Sequence, residues 1–295
     1  MNALLFPGQG SQMVKMGSEF YNNFEIVKKI FSDADEKLNF SLSKIILDGP
    51  EEKLTLTENT QPAILTVSYS IFSVLKNEFN FDIGSFKYFA GHSLGEYSAL
   101  VCSGSLKFTD AIYLLQARGK AMQEAVPVGK GSMIAILGSK FEDIQKLILS
   151  SNINGVCEIA NDNADGQVIV SGNKDSVSQF QQVLKEKKKK FIPLKVSAPF
   201  HCSLMKSAAE IMKEKIEKTI FEKPQIKIVS NVTALPENDT SKIKRLLIEQ
   251  IFNTVRWRET LLKMSSSGVS NFIEIGPGKV LSGMVKRTLK NVNSF

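Results

Sequence analysis

Short apolar runs rich in β-branched and aromatic residues alternate with stretches of helical periodicity along most of the chain. Ala3 to Phe6 reads as a strand, followed by helices near Glu19 to Phe31 and from Pro62 to Phe79. A strand at Lys87 to Ala90 and a long helix from about Thr109 to Val126 come next. This alternation predicts a parallel α/β sheet, because parallel neighbours need a crossover, which a helix supplies. Pro62 is expected to open its helix, since the first turn is where a missing N–H costs least. After Pro127-Val128-Gly129 the rhythm changes. Strand (Ser132 to Leu137), helix (Phe141 to Ser150), strand (Val156 to Ala160), strand (Gln167 to Ser171), helix (Asp175 to Lys187) and strand (Phe191 to Val196) give βαββαβ, the ferredoxin-like split unit. The first rhythm resumes with a helix from about Cys202 to Thr219 and strands at Ile226 to Ser230 and Asn271 to Ile275, the last ending in Gly276-Pro277-Gly278. The expected architecture is a large, discontinuous α/β domain (1–127 and 197–295) interrupted by a small ferredoxin-like subdomain (128–196). Ligands of such proteins often sit in the crevice between domains.

Composition narrows the class. With 295 residues, of which 43% are hydrophobic and 23% charged, the chain can bury a sizeable core, and extended disorder is excluded. Lys and Arg total 37 against 30 Asp and Glu, a net charge of +7 that favours an anionic partner without naming one. Two histidines, His92 and His201, and three scattered cysteines, Cys102, Cys157 and Cys202, offer no CxxC pair and no zinc-ligand spacing. Neither a metal site nor a disulfide framework is expected. No basic leader precedes Ala3 to Phe6, and the longest charge-free stretch, Asn59 to Leu75, falls short of the roughly 20 apolar residues that a membrane span needs. Free thiols and the lack of a span predict the cytoplasm.

Candidate chemistry centres on Gly91-His92-Ser93-Leu94-Gly95, the one GxSxG in the chain. An inert serine in a glycine-tight turn would also satisfy so short a string. Its context is more specific: the apolar strand Tyr88-Phe89-Ala90 precedes it, and an amphipathic helical run from Glu96 to Cys102 follows. Strand, sharp turn and helix make a nucleophile elbow, which raises the Ser93 hydroxyl while the Leu94 N–H points at developing negative charge. A serine nucleophile needs a base. His92 adjoins Ser93, where neighbouring side chains diverge. That leaves His201, in Ala198-Pro199-Phe200-His201-Cys202, at the start of a predicted helix whose dipole would disfavour imidazolium. A capping or surface histidine is the alternative.

Arg118 falls in the middle of a stripe formed by Ala111, Leu114, Leu115, Met122 and Ala125. A guanidinium aimed at a core either snorkels, pairs with a protein carboxylate, or holds the carboxylate of a substrate in its fork. Gly8-Gln9-Gly10-Ser11-Gln12 follows the first strand at its carboxyl end, where α/β sheets bind ligands. It does not continue as GxGxxG, and GxxxxGK[ST] is absent, so dinucleotide and P-loop chemistry lack support. Lys187 to Lys190, the one notable charge run, reads as a solvated helix end or a partner contact.

In order and approximate spacing, FPGQGSQ, GHSLGEYSAL, QARGKAM, ANDNADGQVIVSG, APFH, NTVRW and IEIGPGKVL resemble the malonyl-CoA:acyl carrier protein transacylases across essentially the whole chain. The resemblance implies an α/β-hydrolase-like large domain and ping-pong malonyl transfer through the serine matching Ser93, with His201 as base. No triad acid is implied; the backbone carbonyl of Gln250 takes the other imidazole N–H. The amides of Gln9 and Leu94 form the oxyanion hole, Arg118 holds the malonyl carboxylate, and His92, Phe200, Asn161 and Gln167 line the substrate site. Phe200 matches the pattern associated with malonyl rather than methylmalonyl selection. Thr254 stands where many members carry proline. The implied partners are malonyl-CoA and an acidic acyl carrier protein, which Lys187 to Lys190 would steer; no nucleic acid, membrane or resident cofactor is implied, and a monomer is expected. A serine hydrolase, either a thioesterase or a patatin-like lipase, is the rival on the elbow alone.

Overall fold

Alternate residues of the first strand face different cores. Ala3 and Leu5 pack with Tyr88, Trp257 and Phe272, whereas Leu4 and Phe6 pack with Phe89 and a large helical cluster. Burial on both faces marks a strand inside a covered parallel sheet. The structure, a computed structural model, describes every residue except Lys195 and Ser197. Its strands are β1 (Asn2–Phe6), β2 (Phe86–Gly91), β3 (Gly131–Leu137), β4 (Cys157–Ala164), β5 (Gln167–Asn173), β6 (Lys190–Pro193), β7 (Lys227–Val229), β8 (Pro236–Glu237), β9 (Asn271–Glu274) and β10 (Asn293–Ser294).

One sheet has the order β10-β9-β1-β2-β7-β8 and is parallel except where β8 pairs with β7. The other has the order β4-β5-β3-β6 with every neighbour antiparallel. Its strands and the helices Phe141–Ser150 and Lys174–Glu186 follow the strand and helix order read from the sequence. Ile134, Ile136, Val168 and Val170 pack beneath Val177, Phe180 and Leu184 on one face. Met133, Ala135 and Ile169, on the opposite face, join the large core. The two-residue period of β3 and β5 thus docks the second sheet on the large core and builds one wall of a cleft. No helix among the described residues is long and apolar enough to cross a membrane.

Several expectations need correction. The helix predicted from Glu19 to Phe31 is two, Ser18–Asn23 and Glu25–Leu38, separated by an extended Phe24 whose ring packs on Phe20 and Phe79. Pro62 does not open its helix, which runs Thr57–Glu78 and holds the proline in its second turn. The start lies earlier because the Leu56 carbonyl accepts from the Asn59 and Thr60 N–H groups. The Asn59 and Thr60 side chains also reach back to the Lys53 and Leu54 carbonyls. The predicted strand Phe191 to Val196 is shorter as β6, and Lys195 lies outside the described residues. The helix expected from Cys202 begins at Lys206, after a single 3-10 turn at Ser203–Met205.

Candidate active site

Two close backbone approaches shape the turn that carries Ser93. A Cβ on Gly91 would lie 1.8 Å from the Gly95 carbonyl, and one on Gly95 would lie 2.2 Å from the Phe6 oxygen. Backbone cannot yield that space, so only glycine lets β2 turn directly into the helix Gly95–Cys102 beside β1. Ser93 sits on this turn at φ 53°, in the left-handed region. That conformation costs roughly 1–3 kcal/mol and is held by the surroundings. The Ser93 N–H donates to Asn231 Oδ1 at 2.7 Å, and Asn231 Nδ2 donates to the Gly91 carbonyl at 2.7 Å, lacing the turn to the segment after β7.

His201 is brought to Ser93 from a distant loop, also at positive φ (56°). Its Nδ1 lies 2.8 Å from the Gln250 carbonyl, which can only accept, so the ring proton resides on Nδ1. Nε2 is thereby left as an acceptor, 2.8 Å from Ser93 Oγ. The loop is pinned by Glu158 of β4, which accepts from both the N–H and the hydroxyl of Ser203 at 2.8 and 2.6 Å. Because the following helix starts only at Lys206, its dipole is not what keeps the imidazole neutral. Burial, reinforced by the neighbouring Arg118 charge, pushes the His201 pKa down to about 3. The imidazole is therefore neutral at pH 7.

Arg118 is buried within the helix Phe108–Glu124, among Leu114, Leu115 and Met122 as the stripe predicts. Its partners are neutral acceptors. Nη1 donates to Gln61 Oε1 at 2.8 Å, and Nη2 donates to Gln250 Oε1 at 2.9 Å and to Ser93 Oγ at 3.2 Å. Nε has no partner among the described residues. A buried guanidinium beside the Ser93 hydroxyl, with no direct carboxylate partner, has the charge and donors to receive an anion held at that oxygen.

Gln9, His92, Asn161, Gln167 and Phe200 line the same cleft, of about 240 Å³, as Ser93, His201 and Arg118. The backbone N–H groups of Gln9 and Leu94 donate to no other described residue. His92 points away from the Ser93 hydroxyl: its Nε2 lies 2.8 Å from Asn163 Oδ1, and its ring sits edge-on to Trp257. It therefore ties the elbow to β4. Asn161 is held by a strand-like bridge to Val255, and Gln167 Oε1 is buried with no partner among the described residues. Thr254 Oγ1 donates to the Ile159 carbonyl at 2.6 Å, joining β4 to the loop after Gln250 by a bond proline could not make.

Gln61, Glu96, Asn231 and Asn163 belong to the constellation but were not singled out from the sequence. Glu96 carries a signal as the lone charged residue of GEYSALVC, a helix that is not amphipathic as expected but buried at all eight positions. Nothing local distinguishes Gln61 or Asn231.

Residues 3–295 match the acyl transferase domain family. The chain is 44% identical over 296 residues to the malonyl CoA-acyl carrier protein transacylase of Bacillus subtilis, covering 99% of this chain and 92% of that protein. Among solved structures, an acyl carrier protein S-malonyltransferase from Vibrio cholerae superposes with a TM-score of 0.95 at 42% identity, over 99% of this chain and 95% of that one. A malonyl-transacylase solved in complex with a type II PKS acyl-carrier protein gives 0.95 at 39% identity, over 99% and 94%. With similarity running from end to end on one fold, the chain belongs to the acyl transferase domain family, among its malonyl CoA-acyl carrier protein transacylases.

Proposed function

We propose that the chain transfers a malonyl group from malonyl-CoA to the phosphopantetheine thiol of an acyl carrier protein through a malonyl-serine intermediate on Ser93. The observation that carries this reading is the hydrogen-bonded line from Gln250 through His201 to Ser93 Oγ, with the Arg118 guanidinium 3.2 Å from the same oxygen. His201 Nε2 takes the hydroxyl proton as Oγ attacks the thioester carbonyl. The Gln9 and Leu94 amides receive the tetrahedral oxyanion, and its collapse expels the CoA thiolate, which leaves with the proton from His201. The carrier-protein thiol then attacks the ester, giving up its proton to His201, and Ser93 recovers it as the leaving alcohol. The Gln250 carbonyl does the orienting that an aspartate does in a triad. Arg118 pairs with the malonyl carboxylate, and Phe200, Asn161 and Gln167 bound the acyl and pantetheine path.

Residues 1–127 and 197–295 form the catalytic domain in this reading, and residues 128–196 the small ferredoxin-like subdomain. Two sheets that share no strand, with the cleft between them, support that division. Incubation with malonyl-CoA is expected to add one malonyl group to the protein by intact mass. Addition of holo carrier protein is then expected to move that group to the carrier rather than to water. Loss of the adduct as free malonate at the same rate with or without carrier would make the protein a thioesterase.

The acidic carrier protein is expected to be steered by surface bases including Lys187, Lys188 and Lys190, which are exposed where the helix Lys174–Glu186 meets β6. Reversing these three charges is expected to lower carrier-protein acylation several-fold at low salt and to flatten its salt dependence. Adduct formation from malonyl-CoA serves as the internal control. An unchanged salt slope would leave these lysines with no part in docking.

A further inference from the structure

Glu96 is a buried carboxylate that no catalytic step above uses. Both of its hydrogen bonds land on Oε2, from Gln250 Nε2 at 2.7 Å and from the Asn231 N–H at 3.1 Å, while Oε1 receives none among the described residues. The Gln250 amide spans the distance to Arg118, accepting from Nη2 through Oε1 while Nε2 donates to Glu96. An ionised carboxylate only accepts, so Glu96 fixes which end of that amide faces Arg118. Guanidinium, amide and carboxylate thus form one buried chain behind the nucleophile, with a net charge of zero.

On the malonyl-transfer reading, the acyl group brings a second carboxylate to Arg118. Two carboxylates would then share one cation in a water-poor site, and an unbalanced buried charge is costly. A proton on Oε1 restores neutrality and leaves both hydrogen bonds on Oε2 in place. We propose that Glu96 is the counter-charge of Arg118 in the empty site and takes up one proton from solvent when the acyl carboxylate pairs with Arg118, acting as a positioning residue for carboxylated acyl groups. No other bond changes, and the proton returns to solvent when the malonyl group leaves for the carrier.

The surroundings isolate this response. From the helix Phe108–Glu124 the facing charge is Arg118, and from the helix Thr240–Gln250 it is the neutral Gln250 amide. Tyr97, on Glu96's own helix, is pushed up to about 12 by burial, and His201 down to about 3, so neither titrates near neutrality. The buried residues of β1 are apolar; Lys87 and Lys227 stand at the ends of β2 and β7 remote from the elbow. Tyr69 and Lys76, on the helix Thr57–Glu78, act at the Cys102 end of Glu96's helix. Burial holds the Glu96 carboxyl up at about 7, within reach of one added carboxylate.

Calorimetric titration of Ser93→Ala with malonyl-CoA, in buffers of different ionisation enthalpy, counts the protons taken up on binding. Between about pH 7 and pH 8, uptake is expected to rise toward one proton while affinity falls by up to about tenfold. Acetyl-CoA, with the same phosphates and no carboxylate, is expected to show no uptake. Adding Glu96→Gln is expected to abolish both uptake and pH dependence. Malonyl-CoA bound without proton uptake, or uptake that survives Glu96→Gln, overturns the inference while leaving the transfer reading intact. Failure of the wild-type protein to form a malonyl-serine overturns both. If Glu96→Gln does not fold, the contrast between malonyl-CoA and acetyl-CoA in Ser93→Ala decides alone.

Discussion

Ser93→Ala is expected to form no malonyl adduct detectable by intact mass and to lose transfer to holo carrier protein by about 10⁴- to 10⁶-fold. Alanine has no oxygen to carry the acyl group, and water or free thiol in the cleft cannot use the elbow's geometry in its place. The fold is expected to survive. The left-handed backbone at this position is already held for a side chain with a Cβ, and the Asn231 bond to its N–H does not involve the hydroxyl. Arg118 loses one acceptor but keeps Gln61 and Gln250, so malonyl-CoA still binds and the loss appears in the chemical step. Circular dichroism matching the wild type, together with the missing adduct, would establish this. An adduct retained on Ser93→Ala would remove Ser93 from the mechanism.

Arg118→Ala is expected to reverse acyl preference. Its removal from a desolvated charge pair with the malonyl carboxylate costs roughly 2 to 5 kcal/mol, a factor of tens to thousands in malonyl acylation. Acetyl-CoA makes no such pair, so acetylation of Ser93 is expected to change far less, and competition between the two thioesters, read by intact mass, reports the ratio directly. Some general loss accompanies the change, because the Gln61 and Gln250 Oε1 atoms are left as buried acceptors without their donor. His201 also loses the positive neighbour that helps hold its pKa down, so that pKa rises toward the ordinary histidine value. Since burial remains the larger cause, the base stays neutral at pH 7, and acetylation is again the measurement that isolates it. An unchanged malonyl preference would make Arg118 a structural residue.

Ser93, His201 and Arg118 are legible in the chain because each sits in a pattern that local rules can read. Ser93 has a glycine-flanked turn between strand and helix, Arg118 has a helical stripe, and His201 is found by elimination between two histidines. The order of strands and helices along the second sheet's segment is legible for the same kind of reason, since strand and helix periods alternate there over a few residues each. Where local rules mislead, a tertiary contact has intervened. Pro62 lies inside its helix because the preceding turn is tied back to the Lys53 and Leu54 carbonyls by side-chain hydrogen bonds. His201 owes its neutrality to burial beside Arg118 rather than to a helix end, and neither its depth nor that neighbour can be read from the string around it.

The α/β architecture, the change of rhythm at β3, the elbow, and the three side chains that meet in one cleft are all readable along the chain, because hydrophobic period and glycine spacing act over a few residues. Only the tertiary structure decided how those groups face one another. Gln250 presents its carbonyl to His201 and its side chain to Arg118 and Glu96, which lie 49, 132 and 154 residues away in the chain. Hydrogen-bond direction and buried charge balance depend on distances of about 3 Å between such segments. No periodicity along one chain encodes those distances until the core has closed around them.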